Sequence, residues 1–283
     1  MEYYTYGGLG KEYTKKDSSK IVIIPVPYDG TSTWIKGANK GPKALIEASM
    51  NMELYDIETD SEVFKKGIFT ENEIKGMNTP EKMVELVRKK VKEHIDSKFV
   101  VTLGGEHSIS IGPIMAHVAK YKNLTVLQLD AHSDTREEYE GSKFNHACVM
   151  ARARELCPIV QVGIRSLDAG EKIDKKRIFF AEKIYDNDKW MDDAIALLSE
   201  NVYLTIDLDA FDPSYLPSTG TPEPGGMQWY QVLKFLRKVI EKKNLVGLDV
   251  VELCPNKNDK ASDFLAAKLV YKILTYKFEL LKK

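Results

Sequence analysis

The sequence predicts an α/β protein built on a mostly parallel β-sheet whose two faces are both covered by helices. Three observations lead to this fold class. Short strand-like segments recur along the chain, they are apolar throughout rather than alternating, and helical segments lie between several of them. Strands of that kind are buried on both faces, as in parallel sheets. No repeat or linker-like tract interrupts the pattern, so residues 1–283 are expected to form one domain, with residues 1–20 as an N-terminal arm.

Seven segments rich in β-branched residues are the predicted strands: IVIIPVPY (21–28), FVVTLGG (99–105), LTVLQLD (124–130), PIVQVGI (158–164), RIFFAE (177–182), VYLTIDLD (202–209) and LVGLDVVEL (245–253). Three segments are predicted helices, because apolar residues recur along one face of each: 81–95, 231–243 and 263–281. Alternation of the two kinds of segment is typical of strand–helix–strand units, which place successive strands parallel to each other.

The overall charge is close to balanced, with 41 basic and 42 acidic residues. It therefore gives no indication of nucleic acid or of an anionic membrane as a partner. The three cysteines lack both the even number of a disulfide framework and the CxxC spacing of a zinc site. No apolar run approaches the roughly 20 residues of a membrane helix, and the first residues lack a signal-peptide core. We therefore expect a cytoplasmic protein.

Polar residues follow two of the predicted strands at alternating positions. QLDAHSD places Asp130, His132 and Asp134 two residues apart, and TIDLDAFDP does the same with Asp207 and Asp209. In extended backbone, residues two apart point to the same side. Because ligand sites of parallel sheets lie beyond the carboxyl ends of the strands, we expect these side chains to meet there.

Two more predicted strands end in polar residues that the same rule brings to this edge of the sheet. VTLGGEHS ends with Glu106 and His107, and GLDVVELCP contains Glu252. Each of these residues, taken alone, has an ordinary explanation as a helix cap or a hydrogen-bonded structural residue. His94 and His117 keep that explanation, because they lie in helical segments without acidic neighbours in sequence.

No Arg or Lys adjoins Asp130, His132, Asp207 or Asp209 in the sequence. Buried carboxylates persist only when they are paired or bound to a metal. Four aspartates and two histidines exceed what one divalent ion needs, whereas two ions that share bridging carboxylates would use them all. Oxygen ligands without a thiolate favour Mn²⁺ over Zn²⁺. The sequence therefore predicts a binuclear metal site.

The segments LGGEHS, QLDAHSD and TIDLDAFDPSYLPSTGTPEPGG resemble motifs of the ureohydrolases, the arginase and agmatinase superfamily. Weaker similarity extends over nearly the whole chain, from IPVPYDGTST to GLDVVELCP. The resemblance implies a three-layer α/β/α fold on a mostly parallel eight-stranded sheet, two Mn²⁺ ions per chain, and a homotrimer or homohexamer. It also implies hydrolysis of a guanidinium group to urea and an amine, by attack of a hydroxide that bridges the two ions on the guanidinium carbon.

Carried over by position, the resemblance implies two overlapping sets of metal ligands. The ligands of the first ion would be His107, Asp130, Asp134 and Asp207. The ligands of the second ion would be Asp130, His132, Asp207 and Asp209. Asp130 and Asp207 would therefore bridge the two ions.

The resemblance also implies roles for residues around the metals. Asp134 would take a proton from the nucleophile and pass it to the leaving nitrogen. Glu252 would pair with the substrate guanidinium, and Thr221 would help at the same end. His146, in FNHACVM, would shuttle protons to solvent, a role that suits the near-neutral pKa of an imidazole.

Agmatine is the expected substrate. Its hydrolysis would yield putrescine and urea, which would place the enzyme in polyamine synthesis. The stretches EEYEGSKFNHACVM, TGTPEPGG and QVGIRS resemble agmatinases more than arginases. Glu137, Glu138 and Glu140 of the first stretch are expected to tolerate an ammonium at the far end of the substrate and to repel a carboxylate.

One stretch, TSTWIKGANKGP, departs from the agmatinase pattern. Agmatinases usually have arginines where this chain has Ile35, Lys36 and Asn39. Arginine, guanidinobutyrate or a similar guanidino compound is therefore the alternative substrate. A non-catalytic metal-binding homologue is the alternative from another functional class, although none of the expected ligands is missing from the sequence.

Overall fold

The computed structural model describes residues 4–280, which contain eight strands and eight α-helices. The strands are β1 (Ile21–Val26), β2 (Ile68–Thr70), β3 (Phe99–Gly104), β4 (Leu124–Leu129), β5 (Ile159–Ile164), β6 (Ile178–Phe180), β7 (Asn201–Asp207) and β8 (Asn244–Val251). They form one sheet in the order β2-β1-β3-β8-β7-β4-β5-β6, and every neighbouring pair is parallel.

The helices are α1 (Gly41–Ser49), α2 (Pro80–Lys92), α3 (Ile111–Lys120), α4 (Val149–Arg154), α5 (Ala181–Ile184), α6 (Trp190–Ala196), α7 (Trp229–Lys242) and α8 (Ala261–Glu279). In α2, Thr79 caps the amino end by accepting a hydrogen bond from the Lys82 N–H, and Pro80 occupies the first turn, where no N–H is needed. Within residues 4–280, no helix has the length and the apolar character that crossing a membrane requires.

The helices form a layer on each face of the sheet. Alternate residues of β1 point to opposite faces, so that Ile21 and Ile23 belong to one apolar core, and Val22 and Ile24 belong to the other. Side chains of α1 and α5–α8 contribute to the first core, and those of α2–α4 contribute to the second. The expected three-layer α/β/α fold on eight strands is confirmed, and the sheet is parallel throughout rather than mostly parallel.

The structure adds elements that periodicity did not predict. Strand β2 has three residues, and five of the helices (α1 and α3–α6) have ten residues or fewer. Helix α3 also contains Gly112 and Pro113, which obscure its pattern. The predicted strand 177–182 is shorter in the structure, because its last two residues start α5. Elements of this length contain too few turns or alternations for their period to be recognised.

The described part of the N-terminal segment packs against the domain. Tyr6 is fully buried, and its hydroxyl donates a hydrogen bond to the Ala267 carbonyl of α8 at 2.7 Å. The Gly7 N–H donates to Ser49 Oγ of α1 at 2.8 Å. Residues 1–3 of the expected arm lie outside the described residues.

The topology brings four strand ends together in the middle of the sheet. Strands β3, β8, β7 and β4 are consecutive neighbours, and their carboxyl ends lead to the segments that carry the predicted ligands. Across the sheet, β1 and then β2 lie beyond β3 on one side, and β5 and then β6 lie beyond β4 on the other. The candidate site therefore lies at the centre of the sheet, where parallel α/β proteins bind their ligands.

Candidate metal centre and active site

His107 faces three carboxylates at the carboxyl end of β3. Its Nδ1 lies 2.9 Å from Asp134 Oδ2, 3.1 Å from Asp130 Oδ2 and 3.4 Å from Asp207 Oδ2. All four side chains are buried. The ligand atoms of His107, Asp130 and Asp134 are close enough together to contact a single ion.

His132 forms a second group with Asp130 and Asp209. Its Nδ1 lies 2.9 Å from Asp209 Oδ2 and 3.7 Å from Asp130 Oδ1. The ligand atoms of these three residues are also close enough to contact one ion. Asp130 therefore belongs to both groups and contributes one oxygen to each.

Backbone N–H groups orient the aspartates. Asp130 Oδ1 accepts a hydrogen bond from the His132 N–H at 2.5 Å, and Asp207 Oδ1 accepts one from the Asp209 N–H at 2.9 Å. Asp209 Oδ1 accepts one from the Ala131 N–H at 3.0 Å. In Asp207 and Asp209 this bond holds one oxygen and leaves the other directed at a histidine, a geometry suited to metal ligation.

The hydrogen bonds of His107 agree with a role as a metal ligand. Thr205 Oγ1 lies 2.9 Å from His107 Nε2 and donates to Asp249 Oδ1 at 2.7 Å, so the imidazole donates its Nε2–H to Thr205. Nδ1 then keeps a lone pair, which makes no hydrogen bond among the described residues although it is buried. A metal ion between this lone pair and the facing carboxylate oxygens would satisfy both, and these residues fit such an ion.

The carboxylates at this site are crowded enough to shift each other's pKa values. Burial and the charge of Asp130 raise the pKa of Asp134 to about 7. Burial and the charges of Asp209 and Asp130 raise the pKa of Asp207 well above its ordinary value. Burial lowers the pKa of His107, but the surrounding carboxylates raise it by more, so its pKa is well above normal. Negative charge is in excess here, and bound cations would relieve it.

Two of the candidate catalytic residues have left-handed backbone conformations. Asp134 has a φ of 50° and Glu252 has a φ of 64°, values that are uncommon for residues other than glycine. The Asp134 carbonyl accepts hydrogen bonds from the Met150 and Ala151 N–H groups, and the Glu252 N–H donates to the Gly105 carbonyl at 2.7 Å. Surrounding structure thus holds both side chains in place against a local backbone cost, as is common in active sites.

The metal-ligand groups form the base of a pocket of about 290 Å³. Glu252 and Thr221 lie in its wall, as does His146. Glu252 Oε1 accepts a hydrogen bond from the His107 N–H at 2.7 Å. Burial, followed by the charge of Glu106, raises the pKa of Glu252 well above normal. A cationic group in the pocket would favour the ionised form of this carboxyl.

His146 reaches the pocket from a short 3₁₀ helix before α4. Its N–H donates to Thr31 Oγ1 at 3.0 Å, and its Nδ1 lies 3.3 Å from the same oxygen. Burial lowers the pKa of His146 to about 4, against the opposing effect of a hydrogen bond with the Thr31 backbone. The imidazole is therefore neutral at pH 7, and its pKa is below the near-neutral value expected from the sequence because the ring is buried.

The mouth of the pocket differs from the sequence-based expectation. Among the described residues that line the pocket, Glu137, Glu138 and Glu140 are absent, so the expectation that they face the far end of the substrate is wrong. Glu137 is held away by Arg154, at 2.6 Å, and by Arg152, at 3.2 Å. The three glutamates lie in a turn whose neighbouring residues, rather than the glutamates themselves, face the site.

The acidic residues of the outer pocket come instead from the loop that follows β5. They are Asp168 and Glu171, which lie 3.9 Å and 3.7 Å from the Arg136 guanidinium. The Asp168 carboxylate is exposed, whereas the Glu171 side chain is buried and hydrogen-bonded to Thr135. Trp34 and Ile35 also line the pocket, and Trp34 is 70% exposed. The exposed mouth of the pocket therefore combines Asp168 with an aromatic ring, and Glu171 adds a second negative charge beside Arg136.

Several residues that support the site were not recognised from the sequence. Thr205 and Asp249 orient His107, and Glu171 accepts hydrogen bonds from the Thr135 N–H and hydroxyl next to Asp134. Thr205 lies two residues before Asp207 on β7, so strand alternation could have identified it. Glu171 comes from a distant loop, and no local pattern points to it.

Comparisons with known proteins agree with this geometry. The arginase family model matches residues 19–275. An N(1)-aminopropylagmatine ureohydrolase of Synechocystis sp. is 39% identical over 277 residues, which are 93% of this chain and 90% of that protein. An agmatinase of Pyrococcus horikoshii is 31% identical, with 97% of this chain and 98% of that protein covered.

Among solved structures, the agmatine ureohydrolase of Thermoplasma volcanium superposes with a TM-score of 0.86 at 31% identity, covering 94% of this chain and 92% of that one. The predicted resemblance to ureohydrolases and the prediction of an agmatinase-like enzyme are both confirmed by these matches. With the family model spanning most of its length, the chain belongs to the arginase family of hydrolases.

Proposed function

We propose that the protein hydrolyses the guanidinium group of a linear guanidino compound that ends in an amine. Agmatine is the first candidate, with putrescine and urea as products. One observation carries the proposal: two histidine–carboxylate groups that share Asp130 lie in the same pocket as the carboxylate of Glu252. The two groups offer places for two divalent cations, and Glu252 offers a counterion for a guanidinium.

Two Mn²⁺ ions are the proposed cofactor. The two proposed ligand sets are His107, Asp130, Asp134 and Asp207 for one ion, and Asp130, His132, Asp207 and Asp209 for the other. When bound, the ions would supply an activated water as nucleophile at neutral pH. The orphaned Nδ1 of His107 supports metal binding, and the many carboxylate oxygens support Mn²⁺ over softer ions.

The protein's own side chains would position the substrate and move protons. Glu252 Oε1 is already engaged by the His107 N–H, so Oε2 is the oxygen that would accept hydrogen bonds from the guanidinium. Asp134, beside His107 at the base of the pocket, would take a proton from the attacking water and transfer it to the leaving nitrogen. His146, in the pocket wall and neutral at pH 7, would exchange other protons between the pocket and solvent.

The charges near the pocket mouth support the proposal that the substrate ends in an amine. Asp168 lines the mouth, the buried Glu171 adds a second negative charge, and Arg136, the one arginine or lysine among the described lining residues, lies close to both. An ammonium group would be attracted to this excess of negative charge, whereas the carboxylate of arginine would be repelled.

A second candidate substrate is N(1)-aminopropylagmatine. Four relatives whose names include this substrate favour it. They are 34–39% identical to the chain over at least 93% of its length. The additional amine of such a substrate would reach the mouth, where Trp34 and Asp168 lie. An exposed aromatic ring and a carboxylate both attract alkylammonium groups.

The wider proposal is a cytoplasmic enzyme of polyamine synthesis that assembles as a homotrimer or homohexamer. The cytoplasmic setting is supported by three free cysteines. The assembly and the pathway rest on the resemblance to the family.

The test is urea release by the purified, Mn²⁺-loaded protein. We expect kcat/KM for agmatine or N(1)-aminopropylagmatine to exceed that for L-arginine and 4-guanidinobutyrate by at least about tenfold, equivalent to about 1.4 kcal/mol. The ratio between the two amine-ended compounds decides which candidate is the substrate. A preference for L-arginine would contradict the proposal.

Two variants serve as controls. Glu252→Gln should remove nearly all activity with every substrate while metal content stays unchanged, because it removes the counterion of the guanidinium. Asp168→Asn should leave the chemistry intact and reduce the preference for amine-ended over carboxylate-ended substrates. An Asp168→Asn enzyme with unchanged preference would exclude a role of the mouth in choosing the substrate.

A further inference from the structure

Glu106 is a fully buried carboxyl group next to the candidate active site, and no role has been assigned to it so far. Its Oε1 accepts hydrogen bonds from Ser108 Oγ at 2.7 Å, Thr31 Oγ1 at 2.9 Å and the Thr31 N–H at 3.3 Å. Its Oε2 accepts one from the Ser108 N–H at 2.9 Å. Every neighbour in this set is a backbone N–H or a hydroxyl that can donate, as an ionised carboxylate requires.

Gly105 allows the loop after β1 to approach this carboxylate. A β-carbon on Gly105 would overlap the carbonyl oxygen of Tyr28, to which the Glu106 N–H donates a hydrogen bond at 2.8 Å. The close contact brings Thr31 between Glu106 and the helix that carries His146. Thr31 is itself only 8% exposed, so its hydroxyl has little access to water as an alternative partner.

The hydroxyl of Thr31 has three polar neighbours, and their geometry determines what each does. A hydroxyl donates one hydrogen bond and accepts up to two. Its proton goes to Glu106 Oε1 at 2.9 Å, because the reverse arrangement would place oxygen lone pairs against a carboxylate. Its lone pairs then face two atoms of His146: the backbone N–H at 3.0 Å and the ring Nδ1 at 3.3 Å.

We propose that Glu106, acting through Thr31, fixes His146 as the tautomer that carries its proton on Nδ1. Both lone pairs of the Thr31 hydroxyl oxygen accept, and the Thr31 carbonyl beside the ring can only accept, so Nδ1 must donate. Nε2 is then left without a proton and free to accept one. The hydrogen bond made by one ring nitrogen commonly determines the protonation of the other. Glu106 and Thr31 are thus positioning residues for His146.

This inference builds on the proton-exchanging role of His146 in the proposed function. A histidine that relays protons between the pocket and solvent needs a free acceptor, and the relay from Glu106 would provide it. The tautomer itself can be measured without turnover, so the two proposals can fail separately.

The experiment is ¹⁵N NMR of the histidine rings in the full-length protein near pH 8. Spectra would be recorded without metal and with Zn²⁺, because Mn²⁺ is paramagnetic and would broaden the signals. The His146 signals are identified as those missing from His146→Asn. We expect a protonated Nδ1 and an unprotonated Nε2 in the wild-type protein.

Thr31→Val keeps the shape of the side chain and removes its hydroxyl. It should shift the ratio of the two His146 tautomers by about tenfold towards the form protonated on Nε2. A tenfold change in this ratio corresponds to a free-energy difference of about 1.4 kcal/mol. Thr31→Ser restores the hydroxyl and should restore the wild-type ratio. With the substrate that the urea-release test identifies, Thr31→Val should also lower kcat severalfold with little change in KM.

Two results would overturn the inference. A wild-type His146 that carries its proton on Nε2 would contradict the hydrogen-bond assignment, whether or not any variant folds. An Nδ1–H tautomer that persists unchanged in Thr31→Val would remove the relay as its cause. An enzyme inactive on every guanidino compound but with the expected tautomer shift would instead contradict the proposed function alone.

Discussion

Asp130 is the residue on which both halves of the candidate metal centre depend. Its two oxygens face different histidines, and Gln128 Nε2 donates to Oδ2 at 2.6 Å. Replacing Asp130 by Asn would put an amide nitrogen, which cannot ligate a cation, in place of one oxygen. We therefore expect Asp130→Asn to weaken both sites, so that the variant holds less than one Mn²⁺ per chain at concentrations that load two into the wild-type protein.

Equilibrium dialysis followed by elemental analysis would measure this stoichiometry. Asp168→Asn makes the same chemical change at the mouth of the pocket, away from the ligand groups, and should still load two ions. A wild-type protein that saturates at one ion per chain would contradict the binuclear assignment.

At the same scale, the sequence found the aspartates, but the extended backbone that it predicted for them does not hold. Asp134 has a φ of 50° and Asp209 lies in a short 3₁₀ helix, Leu208–Ala210. Their position directly after the neighbouring strands β4 and β7 is what brings the aspartates together. Thr31 could not be found in this way, because it reaches His146 from a loop more than a hundred positions away. Such contacts depend on how loops from different strands approach each other, which local pattern does not encode.

At the scale of elements, seven strands and the three longest helices could be predicted, whereas β2 and the five shorter helices could not. Seven of the eight strands were identified, because each has a run of β-branched residues. Strand β2 is too short to have a period, and it is held in place by pairing with β1. Strand order could not be derived either, since pairs such as β3 with β8 join distant parts of the chain.

The packing of α3 on β8 leads to a prediction at Gly247. A β-carbon there would overlap the Nε2 end of the buried His117 ring, which also lies 4.6 Å from the Tyr203 ring, centroid to centroid. The ring has no space to withdraw. We expect Gly247→Ala to lower the free energy of unfolding by about 1–3 kcal/mol, as overpacking in a core usually does.

Urea unfolding would measure this loss, and a double-mutant cycle with His117→Ala would identify its cause. Removing the ring should make room for the added methyl group, so the double variant should be more stable than the sum of the single effects predicts. Simple additivity would mean that the steric conflict lies elsewhere.

At the scale of the whole molecule, a charged cluster joins the segment after α1 to the last helix. Lys272 of α8 lies 2.8 Å from Asp56 and 2.6 Å from Glu58. Burial raises the pKa of Glu58, but hydrogen bonds from Lys272, Tyr276 and Arg237 lower it by more, to about 2. The ionised form of Glu58 is therefore more stable, relative to the protonated form, in the folded protein than in the unfolded chain.

This difference makes stability depend on pH. Because the pKa of Glu58 is lower in the folded state than its ordinary value of 4.5, its contribution is complete above about pH 5.5 and is lost as the pH falls towards 2. Glu58→Gln should therefore be less stable than the wild-type protein at pH 7, and the gap should narrow by pH 3. Urea midpoints across this range would measure it.

The exposed Glu182 provides the matched control, since Glu182→Gln should change the midpoint little at any pH. A gap between wild-type protein and Glu58→Gln that stays constant from pH 7 to pH 3 would mean that ionisation of Glu58 does not stabilise the fold.

The location of β8 has a consequence for how the chain is made. Among the described strands it is the last in chain order, yet it is inserted between β3 and β7 in the middle of the sheet. Until β8 has been synthesised, β3 and β7 each keep an unpaired edge open to other chains. The nascent protein is therefore most vulnerable to aggregation after β7 has been made and before β8 is in place, and the sheet brings His107 and Asp207 together only once β8 joins its two parts.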